Sequence, residues 1–205
     1  MLISENEARR LLEKHLPELR QFFIRALERY QAEYQPSARA DHDASIQAAC
    51  IHGHVVSEAS KYAERFPDSE VKFEAPGNCG MLIFGGRIAV RFKKFDARLQ
   101  PSNNETPQSR SFTGSTISEK IPASATLDCG YQLNALGDSI IGVFVVDRIT
   151  AAKPHWVMEI SEAEIRTTVT PLFEAQQESV EEATPAAIVP RKSEVVELRP
   201  VKKDD

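Results

Sequence analysis

Arg87, Arg91, Lys93 and Lys94 lie close together in the stretch GGRIAVRFKKFD, residues 85–96. In an extended chain, alternate side chains take opposite faces. Ile88, Val90 and Phe92 then point one way, and Arg87, Ala89, Arg91 and Lys93 the other. Cations gathered on one sheet face can contact successive phosphates of a nucleic acid, and Asn104 and Arg110 in the following loop would extend the surface. Residues 81–100 hold five bases and one acid, whereas the whole chain has a net charge of −5. An anionic partner would therefore be met by a local patch rather than by bulk charge. The competing reading is a solvated strand face whose charges pair with neighbours such as Glu70 or Glu74. The alternation breaks at Lys94 and Phe95, which marks a bulge or the end of the strand.

A second chemistry needs Glu74, Lys93 and Asp96. Their order resembles the layout of restriction-type nucleases, which hold a metal with an acid on one strand and an acid–x–lysine on the next. Arg91 stands where the second acid belongs, and a cation there repels the metal. Asp41, His42, Asp43, His52 and His54 carry ligand chemistry suited to zinc or manganese. On a helix, however, His52 and His54 diverge by roughly 200°. Capping aspartates and ordinary helix histidines account for them, so neither a resident metal nor a cofactor is expected. No GxSxG, P-loop or GxGxxG context occurs. The three cysteines, Cys50, Cys79 and Cys129, have no metal-ligand spacing and read as reduced thiols. Trp156 and Tyr131 could stack a base if exposed, although core packing is the commoner role for such rings.

The elements that must position these residues follow from periodicity. Ser4 and Glu7 have capping-box spacing ahead of Leu11, Leu12 and Leu16. Pro17 should break or kink that helix. Leu19, Phe22, Phe23, Ala26, Leu27 and Tyr30 form the apolar face of the next helix. A further helix begins after Asp41 or Asp43, with Ile46, Ala49, Cys50, Gly53, Val56 and Ala63 as its expected inner face. Beyond Pro67 the period changes to two. EVKFEA, MLIFGGRIAVRF with its Gly85–Gly86 turn, TLDCGYQLN and SIIGVFVVDRI joined by ALGD, and HWVMEI all read as strands.

Helices followed by strands joined through short turns predict an α+β fold, with N-terminal helices packed on a mainly antiparallel sheet of about five or six strands. The expected layout is one domain over residues 1–173: helices at 4–66, sheet at 69–160 and a closing helix at 161–173. Residues 97–122 form a polar loop longer than compact domains usually carry. Residues 174–205 have no aromatics, eight acids and five bases, which predicts a disordered tail. With 41% hydrophobic residues a core can form. No run of 18 apolar residues and no signal-like start occurs, so a cytoplasmic protein without a membrane partner is expected.

Taken in order, GGRIAVRFKKFD, NNETPQ, DCGYQLNALGDSIIGVFVV and HWVMEI resemble an uncharacterised bacterial and prophage family. Its members sit beside helix-turn-helix/zinc-peptidase proteins in toxin–antitoxin or phage-defence modules. The resemblance covers roughly residues 40–160, and it implies a context, with a protein partner, rather than a reaction. The resulting expectation is a component of such a pair that acts by binding a partner protein, with nucleic acid as a candidate target of the basic ribbon. A metal-dependent nuclease and a non-catalytic interaction scaffold are the alternatives.

Overall fold

The computed structural model describes residues 3–75, 79–101, 123–150 and 153–161. All of them belong to the compact unit Met1–Thr170. The chain opens with α1 (Glu5–Leu12), a 3-10 turn at Glu13–His15, α2 (Leu16–Glu33), α3 (Pro36–Ala40) and α4 (Ala44–Ala63). Six strands follow: β1 (Val71–Glu74), β2 (Met81–Phe84), β3 (Ile88–Lys94), β4 (Ala125–Leu133), β5 (Ile140–Arg148) and β6 (Pro154–Glu159). They form one sheet in sequential order.

Local chemistry sets the helix ends. The Ser4 hydroxyl accepts from the Glu7 N–H at 3.3 Å. The Glu7 carboxylate does not close the expected capping box, because it takes the Arg87 guanidinium as its partner instead. The 3-10 turn interrupts the first helix, and Pro17 then sits in the first turn of α2, where its missing N–H costs nothing. Asp43 caps α4 by accepting from Ser45 and Ile46 N–H at 2.7 and 2.8 Å.

All six apolar residues expected on α2 are buried. The inner face of α4 differs from expectation. Ile51, Val55, Ala59, Tyr62 and Ala63 are buried, whereas Ile46 is 44% exposed. This helix carries small or apolar residues around most of its circumference, so periodicity admits more than one inward stripe. Contact with α2 and the sheet selects among them.

The sheet is two three-stranded meanders laid side by side. Within each, neighbours are antiparallel. The turn between β2 and β3 uses Gly85 and Gly86 with φ of 55° and 63°, values that favour glycine. The meanders join through β3 and β4, which are parallel with Ile88 opposite Ala125 and Lys94 opposite Tyr131. That pairing requires a crossover, which is the role of the long polar connection after β3.

Val90, Phe92, Leu127, Cys129, Val143, Val145 and Met158 face the helices in one core. Phe92 meets Phe22 and Phe23 edge-on at 6.2 and 6.1 Å between centroids. The Trp156 indole N–H donates to the Ile3 carbonyl at 2.8 Å and ties the chain's beginning to β6.

His15 is buried in this core, with Nδ1 2.7 Å from the Tyr62 hydroxyl. Burial, assisted by Lys14 and opposed by Glu70, lowers its pKa from 6.5 to about 4. Above pH 6.5 the ring is neutral whether the chain is folded or not, so its contribution is complete. As the pH falls from 6.5 towards 4, the unfolded chain takes up a proton that the folded chain refuses, and stability declines by up to about 1.4 kcal/mol per pH unit. The His15→Gln variant is expected to lose less melting temperature between pH 7 and pH 4.5 than the parent. Equal losses in thermal melts would refute the assignment.

Candidate binding site at the end of the sheet

The four bases at and just before β3 have different surroundings. Arg87 is exposed and pairs with Glu7 at 2.5 Å. Arg91 is 3% exposed and faces Asp128, also 3% exposed, directly across the parallel seam. Its Nε and Nη2 both donate to that carboxylate. Arg148 Nε donates to Oδ2 of Asp128 at 3.0 Å, and its Nη2 donates to the Leu99 carbonyl. The Arg148 guanidinium also lies 5.6 Å from the Phe95 ring centroid. One carboxylate thus links β3, β4, β5 and the start of the crossover.

This second sheet face is not solvated at its centre, since Met81, Ile83 and Ala89 form a small apolar cluster beside the charges. The partners expected for a solvated strand face are otherwise engaged, Glu70 with Lys14 at 2.5 Å and Glu74 with Lys72 at 2.7 Å. Asp128 and Arg148 escaped sequence reasoning. The available signal was a lone carboxylate in the middle of an otherwise apolar strand, TLDCGY, which is uncommon without a buried partner.

Glu74, Lys93 and Asp96 are not drawn into one acidic site. Glu74 lies opposite Met81, which lies opposite Arg91, so an arginine separates it from β4. The Asp96 carboxylate caps the turn after β3, accepting from the Arg98 and Gln100 N–H groups at 2.8 Å each. Among the described residues, no group of three or more His, Cys, Asp or Glu side chains is arranged to hold a metal. His42 bonds the Tyr30 hydroxyl at 2.9 Å, and His54 approaches Glu33 at 3.3 Å. Asn104 and Arg110, the closing helix and the tail lie outside the described residues. Among the described residues, no helix is long and apolar enough to cross a membrane.

Two adjoining recesses occupy the end of the sheet where β3 finishes, and Lys94 borders both. The larger, about 370 Å³, lies between the start of α4 and the β4–β5 turn, with Ala44, Leu136 and Ile141 on its walls. The turn is held in place. Gln47 of α4 donates to the Gly137 carbonyl at 2.7 Å, and Gln31 of α2 to the Asp138 carbonyl at 2.6 Å. Asn134 also donates to the Asp138 carboxylate at 2.7 Å. On this anchored turn Leu136 is 83% exposed, and Ile141 beside it is 63% exposed.

The smaller recess, about 230 Å³, opens between α4 and the last residues of β3. Phe23, Val55 and Phe92 supply apolar walls, while His52, Lys93, Lys94 and Tyr131 supply polar groups. Burial lowers the pKa of His52, and Lys93 adds to the effect, so the imidazole is neutral near pH 7. Burial also lowers the pKa of Lys94. For Lys93, burial and Arg91 lower it while Asp128 and Cys79 oppose them. Tyr131 is 2% exposed, and Trp156 packs against the core, so neither presents an open ring face for a base.

No protein-family model matches this chain, and no curated protein or solved structure matches it either.

Proposed function

We propose that this chain works by binding, as the non-catalytic member of a bacterial two-protein toxin–antitoxin or phage-defence module. The two-protein context rests on the resemblance of residues 40–160. The observation that carries the binding reading is the presentation of Leu136 and Ile141. Two large aliphatic side chains are exposed beside a groove, Leu136 on a turn braced by side chains from two helices and Ile141 on the strand that follows it. A rigid, exposed apolar surface of this kind suits a protein partner, since burying it recovers hydrophobic free energy at little ordering cost.

Nucleic-acid contact by the β3 ribbon draws less support from the geometry. Arg87 and Arg91 are engaged with carboxylates, and Lys94 at the strand end is the base of this ribbon that makes no ion pair among the described residues. The nuclease alternative draws none from the described residues, among which no acids converge on a metal position.

Affinity isolation of the full-length protein from its native host, with bound protein and nucleic acid identified separately, tests this reading. A stoichiometric protein partner is expected, and the Leu136→Glu/Ile141→Glu variant should weaken its capture at least about ten-fold at an unchanged melting temperature. Undiminished capture by that variant, or recovery of nucleic acid alone, would overturn the proposal.

A further inference from the structure

We propose that the smaller recess is a binding site for a small organic anion, a carboxylate on a compact apolar body. The inference is independent of the partner-binding surface, and its test needs no partner.

The architecture of the recess argues for a ligand. Lys94 and Tyr131 are directly opposed across the parallel β3–β4 pair, so their side chains leave the sheet side by side on the helix-facing side. Among the described residues, Lys94 makes no ion pair or side-chain hydrogen bond. The Tyr131 hydroxyl is buried and has no hydrogen-bond partner among them. Buried hydroxyls are almost always paired, and one that is orphaned at the wall of a cavity calls for an oxygen to complete it. Burial pushes the Tyr131 phenol upward, so it stays protonated and is available as a donor. A half-buried lysine with no counter-ion among the described residues, at the strand position beside a tyrosine whose O–H has no acceptor among them, is the complement of a carboxylate.

The rest of the lining selects the ligand further. Among the described residues no acidic side chain borders the recess, and His52 adds a neutral imidazole to the Lys94 cation. A cationic ligand is therefore disfavoured. The Phe23 and Tyr131 rings lie 5.3 Å apart and, with Val55 and Phe92, form a wall that cannot satisfy a polar body. Ala48 and Ala49 of α4 leave the room that larger side chains would fill. At about 230 Å³ the space falls short of what nucleotides and drug-sized ligands usually occupy. A benzoate-sized or short aliphatic acid fits that description.

The test is titration of the full-length protein with benzoate, hexanoate, benzyl alcohol and inorganic phosphate, followed by heteronuclear NMR. Both carboxylates should perturb amides of α4 and of the ends of β3 and β4. Benzyl alcohol and phosphate, which lack the charge and the apolar body respectively, should each bind at least about ten-fold more weakly. Tyr131→Phe removes only the orphaned hydroxyl, so it should preserve or raise the melting temperature while weakening benzoate about ten-fold. Lys94→Gln should weaken benzoate similarly, and Ala49→Phe, at an exposed position on the rim, should abolish binding in a folded protein. The proposal fails if neither carboxylate perturbs the recess at millimolar concentration. It also fails if benzyl alcohol or phosphate binds as tightly as benzoate, or if Tyr131→Phe leaves benzoate affinity unchanged.

Discussion

Asp128→Asn is expected to be the most damaging single substitution in this fold, costing about 3–5 kcal/mol. The amide keeps the shape of the carboxylate, so packing is preserved and the loss is electrostatic. Asp128 is the carboxylate shared by Arg91 and Arg148, and all three side chains are almost fully enclosed. Neutralising it removes the charge that both guanidinium groups share in a poorly solvated seam. Domains of this size are stable by only about 5–15 kcal/mol, so the variant should sit near the edge of folding. At roughly 2–4 °C per kcal/mol, its melting temperature should drop by about 10 °C.

A companion variant separates charge from shape. Replacing the trio together, Arg91→Met, Asp128→Leu and Arg148→Met, should restore most of the stability, because a buried ionic cluster is rarely better than apolar packing of similar volume. What the charged trio adds is register. It joins the two meanders at one position of the parallel seam, where a slip would leave Asp128 without its partners. Thermal melts of Asp128→Asn within about 2 °C of the parent would show that the seam does not depend on this carboxylate.

The second large effect is expected at Gly130, from space rather than from charge. Gly130 lies on β4 opposite Lys93. A Cβ at this position would run into the Lys93 carbonyl oxygen and stand 2.6 Å from Cε2 of the Phe95 ring. One neighbour is backbone and the other is a buried ring, so neither yields cheaply. Gly130→Ala should cost about 1–3 kcal/mol and lower the melting temperature accordingly. Gly53, exposed in the interior of α4, is the contrast, because a Cβ there would meet nothing within 4 Å. The same exchange at Gly53 should stabilise by about 0.5–1 kcal/mol through the better helix propensity of alanine. Opposite signs at the two positions, measured by denaturant unfolding, would confirm that contact and not glycine as such governs β4. A neutral Gly130→Ala would refute the close approach of Phe95.

Both sites lie along the β3–β4 seam, where sequence reasoning has least purchase. Alternation places Arg87, Ala89, Arg91 and Lys93 on one strand face, and Ala89 and Arg91 do share the face opposite the helix-packed core. Whether that face meets water depends on what lies across it. Alternation reports the direction of a side chain and not its neighbour. Arg91 is enclosed because a carboxylate far along the chain is brought level with it. In the same way, Lys94 is at the rim of a recess because α4 passes over the end of β3 at its small residues.

Local chemistry by itself determined the order of the long helices and the strands, the start of α4 at one of two aspartates, of which Asp43 is the cap, the buried stripe of α2, the glycine turn between β2 and β3, and the β4–β5 hairpin. Each is governed by interactions within a few residues: capping, a 3.6 or two-residue period, or positive φ. Tertiary structure alone decided the inward face of α4, the parallel joining of the two meanders, the enclosure of Arg91 by Asp128 and the pairing of Lys94 with Tyr131 beside a cavity. Those outcomes turn on which distant surfaces bury most area and leave fewest charges unpaired, a comparison between alternatives that no short stretch of sequence contains.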